Sequence, residues 1–160
     1  MSSILQLCEA VPVRTFEPGT ILLAEGKKSG LLYVLLDGQV EIRKRDFQIN
    51  TVSEPGAIFG EISVLLDVPH MATVRTVTAS RLHVIENGEA FLRSKRDIAF
   101  DLSKLLAQRL LGITTYLAEL KSDYEDQKDH LDMVHLIVET LAHQQPQTVK
   151  LVLDVKNSEA

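Results

Sequence analysis

Between Val13 and Ile85 apolar and polar positions alternate in short runs cut by turn formers, the spacing of an all-β sandwich or barrel. The runs predict strands at 13–16, 20–24, 31–36, 38–44, 47–52, 57–59, 73–78 and 81–85. Glu17-Pro18-Gly19, Glu25-Gly26-Lys27-Lys28, Asp37-Gly38 and Glu54-Pro55-Gly56 supply the punctuation. Asp37-Gly38, between two apolar runs, predicts a tight hairpin, because a type I′ turn needs positive φ at both central residues.

After Gly88 the chain is rich in Leu, Ala, Glu, Lys, Gln and Arg, all helix formers. Leu106, Leu110, Ile113, Leu117, Leu120, Tyr124, Gln127, Leu131, Val134, Val138 and Leu141 recur at alternating spacings of four and three, a coiled-coil seam interrupted at Gln127. Unbroken, the stripe would run roughly 54 Å at about 1.5 Å per residue. Two arrangements fit it: a seam between two copies of the chain, or a helix that breaks in the charged segment 121–129 and folds back on itself. Gly112 lowers helix propensity by roughly 1 kcal/mol and could mark a close helix approach. Beyond Pro146, the strand-like run Thr148 to Val155 could pair with a sheet edge or remain a disordered tail.

Composition narrows the class. The 160 residues are 45% hydrophobic and 24% charged, enough for one sizeable core with appendages. No run of eighteen apolar residues predicts a membrane span. Met1 to Val11 carries Glu9 and no basic start, unlike a signal peptide, so a cytoplasmic location is expected. One cysteine, Cys8, can form neither an internal disulfide nor a cluster or zinc site alone. The formal charge of −5 is not that of a chain built to wrap nucleic-acid phosphates.

Chemistry concentrates in Phe59-Gly60-Glu61-Ile62-Ser63-Val64-Leu65-Leu66-Asp67-Val68-Pro69-His70-Met71-Ala72-Thr73-Val74. A glycine before a short apolar helical turn lets backbone approach a ligand, and the N–H groups of such a start suit an anion. Glu61 there also has a plain role, since a carboxylate in a first turn favours the helix dipole.

This segment resembles the phosphate-binding cassette of the cyclic-nucleotide-binding domain family, which includes catabolite activator and cyclic-AMP-dependent kinase regulatory-subunit sensors. Phe16 to Gly26 resembles that family's first hairpin and Leu32 to Val40 its central strands, so the likeness covers roughly residues 10–120. It implies a mainly β plus α fold: a double-stranded β-helix (jelly roll or β-roll) followed by a long C-terminal helix or helices. The division expected is an N-terminal helical segment at 1–12, the β-roll at 13–88, a helical dimerisation region at 89–145 and a tail at 146–160.

The resemblance also implies roles. Gly60 matches the glycine at the cyclic phosphate, and Glu61 the carboxylate that accepts from the ribose 2′-hydroxyl. The backbone amides of Glu61 and Ile62 open the cassette's helical turn, and Thr114 or Thr115 matches the base-contacting region of the long helix. The departure is Pro69-His70-Met71-Ala72-Thr73, where the family usually reads Pro-Arg-Ala-Ala-Thr. His70 stands at the arginine position and Met71 at a small residue's. Histidine near its ordinary pKa of about 6.5 is mostly neutral at pH 7, whereas arginine carries a permanent charge and a fork of donors. Losing a charge-assisted bond of about 1.5–3 kcal/mol would weaken binding roughly ten- to a hundredfold. Protonation of His70 by the bound phosphate is one rescue. Arg75 is a weaker one, since alternation with Val74 and Thr76 aims it outward.

The expectation is a dimeric, non-enzymatic regulatory module for cAMP or cGMP, needing no metal, whose long helix carries Leu106, Leu110, Ile113, Leu117 and Leu120 in the dimer seam. A separate protein effector fits it. Direct DNA binding does not, because acidic side chains outnumber basic ones from 119 to 160 and too little chain follows for a helix-turn-helix domain. The alternative is a degenerate domain kept for protein interaction without nucleotide. A metal-dependent β-barrel enzyme, or a haem sensor using His70 or His83, is a weaker contender. His70 and His83 fall on different elements, while His130, His135 and His143 lie in the helical tail.

Overall fold

The computed structural model describes residues 3–123, which form eight strands and four helices. The seam positions from Tyr124 to Leu141, continuity past Asp123, and the run Thr148 to Val155 lie outside them. The chain divides into two compact units, Met1–Asp101 and a second beginning at Leu102. Described by itself, the first unit contains helix α1 (Ser3–Leu7), strands β1 (Val13–Phe16), β2 (Ile21–Leu23), β3 (Leu32–Asp37), β4 (Val40–Lys44), β5 (Phe47–Val52) and β6 (Ile58–Phe59), helix α2 (Glu61–Leu66), strands β7 (Thr73–Thr76) and β8 (Ser80–Ile85), and helix α3 (Gly88–Ser94). Helix α4 spans Arg96–Asp123.

The strands make two antiparallel four-stranded sheets, ordered β1-β8-β3-β6 and β2-β7-β4-β5. Every predicted strand is present, with ends shifted by a residue or two. This is the antiparallel β-roll followed by a long helix that the pattern and the resemblance led one to expect. Leu22, Leu23, Tyr33, Leu35, Val40, Phe59, Val74, Leu82 and Val84 form one buried cluster, against which Phe16, Leu31, Ile42, Val52 and Ala57 pack. Period-two alternation explains its membership: Tyr33 and Leu35 on β3, and Leu82 and Val84 on β8, share a face. Each buried aliphatic side chain there contributes about 1.5–3 kcal/mol. Phe16 meets Tyr33 edge to face, ring centroids 6.0 Å apart, a geometry the ring quadrupoles favour.

The expected Asp37-Gly38 hairpin is not there. β3 and β4 belong to different sheets, so the two residues turn a corner between sheets and join no paired strands. Gly38 has φ 101°, while Asp37 stays out of the positive-φ region, so the type I′ geometry is absent as well. The glycine is needed for a different reason: a Cβ on it would lie 2.6 Å from both Cα and Cβ of Ser80. Asp37 is held by Arg81, whose Nε donates to Oδ2 at 2.7 Å, and this lowers the Asp37 carboxyl pKa.

α3 starts with the Asn87 side chain accepting from the Ala90 amide at 3.0 Å, an N-cap that satisfies an otherwise orphan donor. It ends at Lys95, whose φ −112° and ψ 79° leave the helical region and separate it from α4. Cys8 is fully buried; burial pushes its thiol pKa up, against an opposing pull from the charge of Lys95.

The corner makes a quantitative demand. Gly38→Ala should lower unfolding free energy by about 3 kcal/mol, combining a left-handed-backbone cost of about 1–2 kcal/mol with the overlap on Ser80. Gly19→Ala isolates the first cost, because Gly19 has φ 81° but nothing within 4 Å of the added Cβ. Urea denaturation of the two variants should show the Gly38 substitution to be the more damaging.

Candidate functional site

The cassette leaves β6 at Phe59 and turns at once. Gly60 caps α2 with φ 94° and ψ −1°, and an added Cβ would collide with the Leu31 carbonyl oxygen while lying 3.2 Å from Leu23 Cδ1. Only glycine fits both the backbone and the space. Glu61 is buried at 5% exposure, Ile62 is half-exposed, and Ser63 is buried with its Oγ donating to the Val68 carbonyl at 2.5 Å. Asp67 closes the helix in the left-handed region, its amide donating to the Ser63 carbonyl. Ser63 therefore ties off the helical turn.

The far end of the cassette is fastened to the loop between β2 and β3. The Gly26 amide donates to the His70 carbonyl at 2.9 Å, and the His70 amide to the Lys27 carbonyl at 2.8 Å. Lys28 Nζ pairs with Asp67 Oδ1 at 2.6 Å, and the Glu25 amide donates to Thr73 Oγ1 at 3.1 Å. The imidazole of His70 is only 4% exposed. Its Nε2 shares a 2.7 Å hydrogen bond with Ser29 Oγ, in which either partner can donate; that hydroxyl also accepts from the Leu31 amide at 3.3 Å. Burial pushes the His70 pKa below its ordinary value, since a charged ring would lose its water. Met71 turns nearly half its surface to solvent, and Ala72 is half-buried.

Gly60 and His70, ten residues apart in sequence, thus converge on one segment, Ser29 to Leu31. Gly60 abuts the Leu31 carbonyl, and His70 binds the Ser29 hydroxyl. Arg75 is committed elsewhere: its Nε donates to Glu41 Oε1 at 2.7 Å and its Nη2 to the same oxygen. Glu41, buried at 6%, also has Arg43 Nη1 at 3.8 Å from Oε2. That carboxylate escaped notice in the sequence, where it sits as one polar step in an alternating strand. Ser29 was equally silent, because its partner is 41 residues away. Thr114 and Thr115 lie on α4 in the second unit, half-buried and exposed respectively. Leu106, Leu117 and Leu120 are half-buried on the same helix, and Leu110 and Ile113 are exposed.

The first N–H groups of a helix have no intrahelical partner; those of α2 stand beside the buried carboxylate of Glu61. Among the described residues no group of three or more His, Cys, Asp or Glu side chains could hold a metal ion, and no helix is long and apolar enough to cross a membrane.

A family model described as the cyclic nucleotide-binding domain matches residues 13–93. The chain is similar to the CRP-like cAMP-activated global transcriptional regulator of Mycobacterium tuberculosis, with 28% identity over 125 residues, 74% of this chain and 56% of that protein. It is also similar to the cAMP-dependent protein kinase type II regulatory subunit of Drosophila melanogaster, with 29% identity over 108 residues, 68% of this chain and 28% of that one. It spans about half or less of the length of these two relatives. The crystal structure of the Thermus thermophilus catabolite activator protein superposes with a TM-score of 0.62 at 23% identity, covering 75% of this chain and 60% of that chain; it shares the fold.

The buried imidazole should leave a signature in stability. Because its folded pKa is lowered, the unfolded chain binds the proton more readily. The stability it contributes is therefore complete above the unfolded value of about 6.5 and lost as pH falls below it. Thermal melts from pH 7.5 to 5.5 should fall more steeply for the native protein than for His70→Gln, which keeps an amide donor and acceptor but cannot titrate. Parallel curves would show that His70 is not the group responsible.

Proposed function

We propose, from the premise that the chain belongs to the cyclic nucleotide-binding domain family, that it is a regulatory module taking cAMP or cGMP into the cassette of residues 59–76. The observation that carries this reading is the left-handed Gly60 at the start of α2, with buried Glu61 next to it. In this reading the Gly60 backbone admits the cyclic phosphate, the amides of Glu61 and Ile62 face it, and the Glu61 carboxylate accepts from the ribose 2′-hydroxyl. Thr114 or Thr115 meets the base. The module acts by binding and not by catalysis, in the cytoplasm, upstream of a separate protein effector and without touching DNA itself.

Output runs through the helices. Leu110 and Ile113 of α4 are exposed and share a stripe with Leu106, Leu117 and Leu120, and an apolar stripe of that kind is satisfied by a second copy of the same helix. Ligand in the cassette shifts the region from Glu89 to Phe100, which contains the break at Lys95, and reorients α4 in the dimer. This requires the ligand to bind the two helix positions with different affinity. The domain boundaries that go with this reading are a β-roll at 13–88, a dimerisation region at 89–145 and a tail at 146–160.

A second reading, a degenerate domain that keeps the fold and seam for protein contacts, is favoured by one observation: His70 is buried and already bonded to Ser29. Calorimetry separates the two. Titration with cAMP and with cGMP should give saturable binding of at least one, weakened roughly tenfold or more by Glu61→Gln through the lost charge-assisted bond; heat-silent titrations of both would favour the degenerate reading. Sedimentation velocity should give a dimer for the native chain and a monomer for the double variant Leu110→Lys, Ile113→Lys.

A further inference from the structure

A cyclic nucleotide carries its negative charge on the phosphodiester, and a site for it is strongest with a cation in hydrogen-bond reach of that group. Most nearby cations are already engaged. His70 is buried, which disfavours its charged form, and is bonded to Ser29. The Arg75 guanidinium belongs to Glu41, and the Lys28 ammonium sits on Asp67.

Lys44 differs. It ends β4, past the core-packed Val40 and Ile42, where the strand becomes exposed. Arg43 pairs with Thr73 at the start of β7, which puts Lys44 one step further along, level with Ala72. From there its Nζ reaches the cassette and donates to the Met71 carbonyl at 3.1 Å. Among the described residues Lys44 makes no ion pair. An ammonium has three donors, so two remain after that bond, and its four-carbon stem lets it move a short way at little cost.

We propose that Lys44 is the cation that meets the phosphodiester in this cassette, in the place of the missing arginine, while His70 serves as a latch between cassette and loop. The inference rests on the cyclic-nucleotide reading above. Binding would exchange a neutral partner of the ammonium, the Met71 carbonyl, for an anionic one. A point charge takes over from a planar fork, so the contact supplies attraction with little demand on the orientation of the phosphate.

The test is calorimetric titration of the full chain with cAMP and cGMP at several salt concentrations, for the native protein, Lys44→Met and Lys44→Arg. Lys44→Met keeps the length of the side chain and, at an exposed position, should melt near the native temperature. It should weaken binding roughly ten- to a hundredfold and flatten the dependence of affinity on salt, while Lys44→Arg retains most of both. Native binding that Lys44→Met leaves unchanged in affinity and salt dependence would overturn the assignment of Lys44 and leave the nucleotide reading standing. Equal losses in the Met and Arg variants would also overturn it, since charge would not be what matters. A native chain that neither nucleotide saturates would remove the reading itself, and this inference with it.

Discussion

The cassette depends on the contact between Gly60 and the Leu31 carbonyl. β6 pairs with β3 through Tyr33 opposite Phe59, so Gly60, which follows β6, arrives opposite Leu32 at the start of β3, next to the Leu31 carbonyl. The backbone can pass there only in a left-handed conformation with no side chain. Once that approach is made, the rest of the cassette runs along the loop before β3. The paired amides of Gly26 and His70, the Lys28–Asp67 pair and the Ser29–His70 bond all follow from the same juxtaposition. A sheet register thereby fixes the geometry of a loop that would be mobile alone.

A histidine in place of an arginine at the end of this loop changes what burial there costs. A buried guanidinium without an anion would cost several kcal/mol. An imidazole bonded to a hydroxyl avoids that cost and contributes about 1 kcal/mol to holding the cassette against the loop. On the proposed reading, a cassette held in this way would lower the ordering cost of binding and leave a ligand less conformational free energy with which to shift anything else.

The strands were legible in sequence because alternation and turn residues act locally, and each run of three to seven residues carries its own signal. The cassette was legible because its glycine, carboxylate and helical turn are contiguous. Asp37-Gly38 misled because the same dipeptide serves a hairpin and a corner, and the deciding contact, with Ser80, comes from 42 residues away. Ser29, Lys44 and Glu41 were silent for the same reason. Each acquires its partner through strand order and loop packing, at separations of 41, 27 and 34 residues, and no short window holds both members. The arginine position could be read as altered, but what the histidine does there needed its partner on the loop.

How an event in the cassette could travel further is constrained by the packing at Gly88. A Cβ there would lie 2.7 Å from Leu32 Cγ and 2.9 Å from Val64 Cγ2, so the start of α3 rests directly on α2 and on β3. The Gly88 amide also donates to the Gly30 carbonyl at 2.9 Å, next to the segment that receives Gly60 and His70. Side chains in such close contact cannot be compressed; a displacement of α2 must either be absorbed by β3, which is the centre of a sheet, or be passed to α3. The sheet is the stiffer of the two, because β3 is hydrogen-bonded on both sides to β8 and β6. α3 is a seven-residue helix that ends in a non-helical residue, Lys95, and on the proposed reading it is the element that would tilt. The small residue at its first position is what brings it close enough to feel α2 at all.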